Sequence, residues 1–453
     1  MSFGLTQKDR RDIKNRNSVF SRLVRTTEHF FPHLSGMLNR MDDPRHQSYI
    51  TYSQSALIML VLMKYVCGVD SMRGMTREFN TEEAIRNLSY LCKQTLKDKP
   101  DWQTINNYLE ELDPGELQEI IQTMIRILIK TKTYSPYTIM GKYPVIIDGT
   151  DYAYFREKHS PHDLVKKTED KETGEITCQY FNKALEAKIL LAPGLLVSIA
   201  TEFIENEDEN VTKQDCELNA GYRLLAKLKK AFPRLNILII GDALYAVMPF
   251  MKAVKDCGWD YIFRIKSGRQ EKLMEDFADL LSQVGEDETI RDVINGEKGI
   301  AQFVNHVEEV TNKDEICNMI RYLYRTEQTI KDFCWVASIE ITQRNAGHVV
   351  KAGRGRWDIE ESFFLQKCGI YDLEHHCSEN YNAMKNHYLL IQLADMIMRL
   401  FTEYDQAVYR LKEGIKHTAS DLLVSFTARQ LSEADIKYIQ TRTALHLCST
   451  LVN

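Results

Sequence analysis

Two short apolar runs, each closed by an aspartate, constrain the fold of this chain most. The first is Val145-Ile146-Ile147-Asp148 and the second is Ile237-Leu238-Ile239-Ile240-Gly241-Asp242. β-Branched runs of this length read as strands buried on both faces of a sheet. Such a sheet needs helices to cover it, which makes the chain α/β. In open α/β sheets ligands bind at the carboxyl ends of strands. An aspartate ending each run therefore places a carboxylate on that rim.

A third acid comes from the stretch Arg356-Trp357-Asp358-Ile359-Glu360-Glu361-Ser362-Phe363-Phe364-Leu365-Gln366-Lys367. On an α-helix Arg356, Glu360, Phe363 or Phe364, and Lys367 follow one another along a single face. A carboxylate flanked above and below by cations suits a site where the acid holds a divalent metal and its neighbours hold phosphates. By itself the stretch fits a solvated helix with ordinary i,i+4 charges equally well. Joined to two rim aspartates it completes a hard, all-oxygen set of the kind Mg²⁺ prefers. Asp151 and Glu361 compete for two of the places. Asp151 is expected past the strand end, and Glu361 is rotated about 100° from Glu360 on the helix, so Asp148 and Glu360 take precedence.

The remaining elements follow from periodicity. Apolar runs over 177–191 and 195–204 flank Pro193-Gly194 and predict a hairpin. Leu218, Tyr222, Leu225, Leu228 and Phe232 recur at helical spacing, predicting a helix over 213–232 that Pro233 ends. A helix over 249–256 and a strand over 259–266 come next. Farther on, Trp335, Ala337, Ile339 and Ile341 alternate with Val336, Ser338, Glu340 and Thr342, the mark of a half-buried strand, and 316–324 reads similarly. The first 140 residues predict helices over 56–63, 82–96 and 117–130, with Asp101 as an N-cap. A long buried helix is expected over 380–402. The chain divides accordingly into a helical part (1–140), a first core part (141–266), a β-rich insertion (267–352), a stretch with the glutamate helix (353–405) and a helical tail (406–453). At 453 residues, two to four domains are expected.

With 44% hydrophobic and 27% charged residues the composition is globular. The ten cysteines show no Cys-x2-Cys pair, and reduced thiols are the expectation. Glu374-His375-His376-Cys377 lacks a second ligand pair at zinc spacing, so structural roles are expected there. No apolar segment follows the basic start, which predicts a chain without a signal peptide, cytoplasmic by default. The net charge of −6 hides local basic patches. Lys8, Arg10, Arg11, Lys14, Arg16, Arg22 and Arg25 crowd residues 1–26. Arg223, Lys227, Lys230 and Arg234 form a stripe along one helix, and Lys351, Arg354 and Arg356 cluster before Glu360. Such patches can track phosphates even on an acidic protein, although a solvated face accounts for any one of them. Arg223, Lys227, Lys230 and Arg354 are the candidate backbone contacts.

The two aspartates and the Arg356-x3-Glu360-x6-Lys367 spacing resemble the DDE transposases of bacterial insertion sequences, in the branch with a Tyr-x2-Arg-x3-Glu-x6-Lys signature. Three of the four signature positions are reproduced, and Gly353 stands where the tyrosine is expected. The resemblance extends to Glu186-Ala187-Lys188, Asp242-Ala243-Leu244-Tyr245 and residues 374–400. It implies a ribonuclease H-like core with a β-rich insertion before the last catalytic helix; the helical N-terminal part is a candidate for binding DNA ends, with a plain helical packing domain as the alternative. It implies Asp148, Asp242 and Glu360 as catalytic, metal-binding residues with two Mg²⁺ ions, Mn²⁺ serving as a substitute, and Arg356 and Lys367 as a phosphate clamp. The implied partners are terminal inverted repeats, target DNA and a second copy of the chain, in a bacterial cytoplasm. The implied reaction is in-line phosphoryl transfer that cuts the ends of the element and joins the 3′-hydroxyl to target DNA. A two-carboxylate glycosidase would also need paired acids, but not cations along the glutamate helix. A transposase-derived DNA-binding protein, or an endonuclease without strand transfer, is the alternative.

Overall fold

The first apolar run does not stop at Asp148. In the computed structural model, which describes residues 6–208, 211–266, 271–292, 298–309, 312–326 and 329–441, it continues as one strand, β1 (Tyr143–Phe155). After it come β2 (Leu164–Glu169), β3 (Ile176–Ala192), β4 (Leu195–Ile204), β5 (Ile237–Gly241), β6 (Asp260–Ile265), β7 (Thr289–Arg291), β8 (Gly299–Glu309), β9 (Asn312–Arg325) and β10 (Ile330–Ala337). The described strands form one sheet in the order β2-β3-β1-β5-β6-β10-β9-β8-β7, with β4 also paired to β3.

The reason for the run-on is that β1 has two different neighbours. On one side its parallel pairing with β5 ends at Ile146↔Ile240. On the other, the antiparallel ladder with β3 continues from Asp148↔Glu186 to Phe155↔Tyr180, past an irregularity between Asp151 and Ala153. Asp148 is therefore mid-strand for β3 and just past the rim for β5. Asp151, expected beyond the strand, lies inside it opposite Lys183. The β3–β4 hairpin turns at Gly194, whose φ of 82° suits glycine. With β4, β3 and β1 antiparallel and β1, β5 and β6 parallel, the core has the ribonuclease H-like order.

The insertion does not stand apart from that core. β10 pairs antiparallel with β6, from Ala337↔Ile262 to Cys334↔Ile265, so β7–β10 widen the same sheet. Trp335, Ile262 and Ile240 share an apolar cluster with Val349, Ile359 and Phe363. The strand predicted over 335–342 ends at Ala337. There the Ser338 hydroxyl donates to Asp260 (2.8 Å), and the Asn345 side chain accepts from Thr342 N and donates to Glu340 O. Local side-chain bonds of this kind replace the ladder with a turn.

The helices are α1 (Gln7–Lys14), α2 (Val19–Phe30), α3 (Leu34–Leu38), α4 (Gln54–Val66), α5 (Met72–Glu78), α6 (Glu82–Cys92), α7 (Trp102–Glu111), α8 (Pro114–Lys130), α9 (Glu217–Ala231), α10 (Met248–Asp256), α11 (Glu271–Leu281), α12 (Ala346–Arg354), α13 (Trp357–Cys368), α14 (Tyr381–Tyr409), α15 (Ile415–Ala428) and α16 (Glu433–Gln440). Asp101 caps α7, its side chain accepting from Gln103 N. The N-terminal helices share one apolar core with the sheet and α14. The Asn386 amide on α14 donates to Leu109 O and Leu112 O at 2.8 Å each, and Gln118 on α8 accepts from Thr201 N of β4. Of the expected helical tail, residues 442–453 lie outside the described part.

Candidate active site

Asp148 lies within β1 just beyond the point where the parallel ladder has ended, and its Oδ1 accepts from Gly149 N (3.0 Å). Asp242 directly follows β5, and its Oδ1 accepts from Leu244 N (2.7 Å), a turn that holds the carboxylate at the strand end. Glu360 lies in the first turn of α13, where a negative charge suits the helix dipole, and Lys367 lies in the last.

Arg356 brings two of these acids together. Its Nη1 donates to Asp148 Oδ2 (3.3 Å), and its Nη2 pairs with Glu360 Oε1 one turn along the helix. Burial pushes the Asp148 carboxyl up to about 7. Arg356 opposes that shift, while Glu217, Asp242 and Glu360 reinforce it. Three acids thus add their negative field at Asp148, against the opposing cation, Arg356.

Glu217, at the start of α9, is a neighbour that sequence reasoning missed. It is held by Lys183 Nζ at Oε2 (2.8 Å) and by the Tyr245 hydroxyl at Oε1 (2.8 Å). The backbone at Gly149 passes so close that a Cβ there would meet Glu217 Oε2 at 2.3 Å and Lys183 Cε at 2.6 Å. The sequence did carry one signal, Tyr245 within the Asp242-Ala243-Leu244-Tyr245 stretch, but nothing in it named the tyrosine's partner.

The other candidates lie differently. Lys367 pairs with Glu374 (2.8 Å), so it does not continue the Arg356–Glu360 contact. Arg223 joins Glu202 and Asp215 (2.5 and 2.6 Å), and Lys227 joins Glu202 (2.5 Å). These two are engaged with acids, and a phosphate would have to displace them. Lys230 is exposed on the same helix. Arg354 lies over the Tyr324 ring, 4.8 Å from its centroid. Glu361 is exposed, and Asp151 accepts from the Tyr154 hydroxyl (3.1 Å).

Gly353 is buried where the signature tyrosine was expected, and the Trp335 indole explains the exchange. A Cβ at Gly353 would fall 2.5 Å from the Trp335 ring. The space a larger residue would occupy on α12 is filled from β10 instead.

The donor set is all carboxylate, with an excess of negative charge around Asp148, and it suits a hard divalent cation. As the side chains stand, no three acid, histidine or cysteine residues among those described are gathered tightly enough to hold one ion. The Arg356 guanidinium spans Asp148 and Glu360 instead.

A family described as "Transposase DDE domain" matches residues 200–397, and "DDE_Tnp_1-associated" matches residues 36–125. Asp242, Arg356, Glu360 and Lys367 fall inside the first match and Asp148 outside it. Among curated proteins nothing matches. Among solved structures the chain is similar to a piggyBac transposase synaptic complex with hairpin DNA, at 12% identity and a TM-score of 0.42, over 94% of this chain and 83% of that one. By the two family matches, the chain belongs to the DDE-type transposases.

Proposed function

We propose that this transposase cuts DNA at the ends of an insertion sequence and joins the freed 3′-hydroxyl to target DNA, with Asp148, Asp242 and Glu360 as the catalytic acids. The observation that carries the reading is that Arg356 joins Asp148 of β1 to Glu360 of α13, with Asp242 close enough to raise the Asp148 carboxyl further. The carboxylates of Asp148, Asp242 and Glu360 would hold two divalent ions, Mg²⁺ or Mn²⁺ in its place. Bound there, such ions supply Lewis-acid stabilisation of the attacking and leaving oxygens of an in-line displacement. Arg356 is the group placed to pass from the acids to a phosphate oxygen, because a guanidinium binds either one in the same bidentate geometry. Lys367 would add a second contact once released from Glu374. Held this way, the scissile phosphate is aligned before reaction, which lowers the barrier by pre-set positioning. A second copy of the chain would hold the other DNA end, with the helical N-terminal part and the 267–352 strands contacting DNA beyond the acids.

Joining separates a transposase from a nuclease, which has finished once water has attacked. Purified protein is given a pre-nicked, 3′-labelled oligonucleotide from the DNA bordering the coding sequence, a supercoiled plasmid and Mg²⁺. Covalent transfer of label to the plasmid, lost in Asp148→Ala, Asp242→Ala and Glu360→Ala, is the expected result. Efficient nicking without any joined product would instead assign an endonuclease.

A further inference from the structure

The helix that carries Glu360 is attached to the sheet in an unusual way. Its inward residues are Ile359, Ser362, Phe363 and Gln366, all at most 6% exposed, and half of them are polar. The Ser362 hydroxyl accepts from Lys188 Nζ (2.9 Å) and from Arg399 Nη2 (3.1 Å). Gln366 donates to Gln392 and Asp395, both at 3.0 Å, and Asp395 is in turn held by Arg399 Nε (2.8 Å). Lys188 is fully buried in β3.

A buried lysine needs a reason, because removing an ammonium from water is costly unless it is bonded. Its position supplies one. In register, Glu186 of β3 sits opposite Asp148 of β1, and Lys188 is the next residue of β3 on the same face. The path from Asp148 to Glu360 is then one ladder step, two residues of strand, one hydrogen bond and two residues of helix. Apolar packing alone is non-directional and tolerates small sliding or rotation of a 12-residue helix. A hydrogen bond, by contrast, holds its two partners to a narrow range of distance and angle.

We infer that Lys188, acting through Ser362, is a positioning residue that fixes the distance between the Glu360 and Asp148 carboxylates. Neither side chain touches substrate in this role. The Arg399 contact and the Gln366–Asp395 bond hold the same helix against α14, so the carboxylate on the outer face inherits its place from both directions. The inference rests on the reading of Glu360 as catalytic.

The test uses the full chain and three variants: Ser362→Ala, Lys188→Met and, as control, Glu360→Ala. Nicking of a plasmid carrying the bordering DNA is followed in Mg²⁺, affinity for a labelled duplex of that DNA is measured in EDTA, and amide exchange is measured across residues 357–368. Ser362→Ala should nick about ten- to a hundredfold more slowly, the scale expected when a catalytic group shifts by about 1 Å. Its duplex affinity should be unchanged, and exchange in α13 should rise. Lys188→Met should show the same pattern if it folds, and Ser362→Ala carries the test if it does not. A wild-type nicking rate in Ser362→Ala, or rate and affinity falling together with thermal stability, overturns the inference. If Glu360→Ala nicks normally, the catalytic reading itself fails, and that outcome is distinct from the other two.

Discussion

At the scale of single residues, Asp148 is where fold and chemistry meet. Its carboxyl is raised from 3.8 to about 7 chiefly by burial, with three other acids adding to the shift. The sign of the consequence follows from proton binding. Between about pH 4 and 7 the native state keeps a proton on Asp148 that the unfolded chain has released, so without divalent ions stability falls as pH rises through that window. Wild-type protein in EDTA should therefore lose thermal stability relative to Asp148→Asn as pH goes from 4 to 7, and saturating Mg²⁺ should close the gap at pH 7. Parallel melting curves for the two proteins would rule the effect out. The sequence made Asp148, Asp242 and Glu360 visible because each sits at a recognisable place in a run. It could not show Lys183 and Glu217, whose contact depends on the β1–β3 register and on how α9 begins against Gly149. Nor could it show that Lys367 turns to Glu374, because helical phase gives a direction but not a partner.

At the scale of elements, strands and helices with strong periodicity lie close to where the sequence puts them. β4 spans Leu195–Ile204 as expected, and α9 begins at Glu217 within the expected 213–232. What the period could not supply was which strands continue. β1 runs on because β3 offers a ladder after β5 has ended, and β10 stops early because Ser338 and Asn345 form a turn. The α12–β10 contact is a third case. Gly353 reads in the sequence as a departure from a signature, and the structure makes it a requirement of Trp335. Adding a methyl group here overpacks a closed contact, which typically costs about 1–3 kcal/mol. Gly353→Ala should lower unfolding free energy by that amount in urea titration, and Trp335→Phe in the same chain should recover part of it. If Gly353→Ala unfolds like wild type, the indole yields easily and the glycine has another cause.

At the scale of the whole molecule, charge patches read along the chain are poor guides to the surface. Of the basic residues within 1–26, Lys14 and Arg22 are buried. Lys14 pairs with Asp405 (3.1 Å) and Glu413 (2.7 Å), and Arg22 pairs with Asp405 (2.9 Å). Nothing local in the sequence announces partners so far along the chain, and an arginine bound for the core looks like one bound for DNA. These pairs tie α1 and α2 to α14 and the segment after it, and so close the helical part around the long buried helix. No helix among the described residues is long and apolar enough to cross a membrane, and α14 instead spends its apolar surface on this packing. The two roles for Arg22 predict opposite outcomes. Truncating one member of a buried ion pair leaves the other charge uncompensated, a loss of about 3–5 kcal/mol. Removing a phosphate contact instead lowers the salt dependence of DNA binding by roughly one unit of slope. Arg22→Ala should therefore unfold at markedly lower urea concentration, while the slope of log affinity against log salt, measured by gel shift where the variant is still folded, stays that of the wild type. A reduced slope with unchanged stability would place Arg22 on DNA and reopen the N-terminal patch as a binding surface.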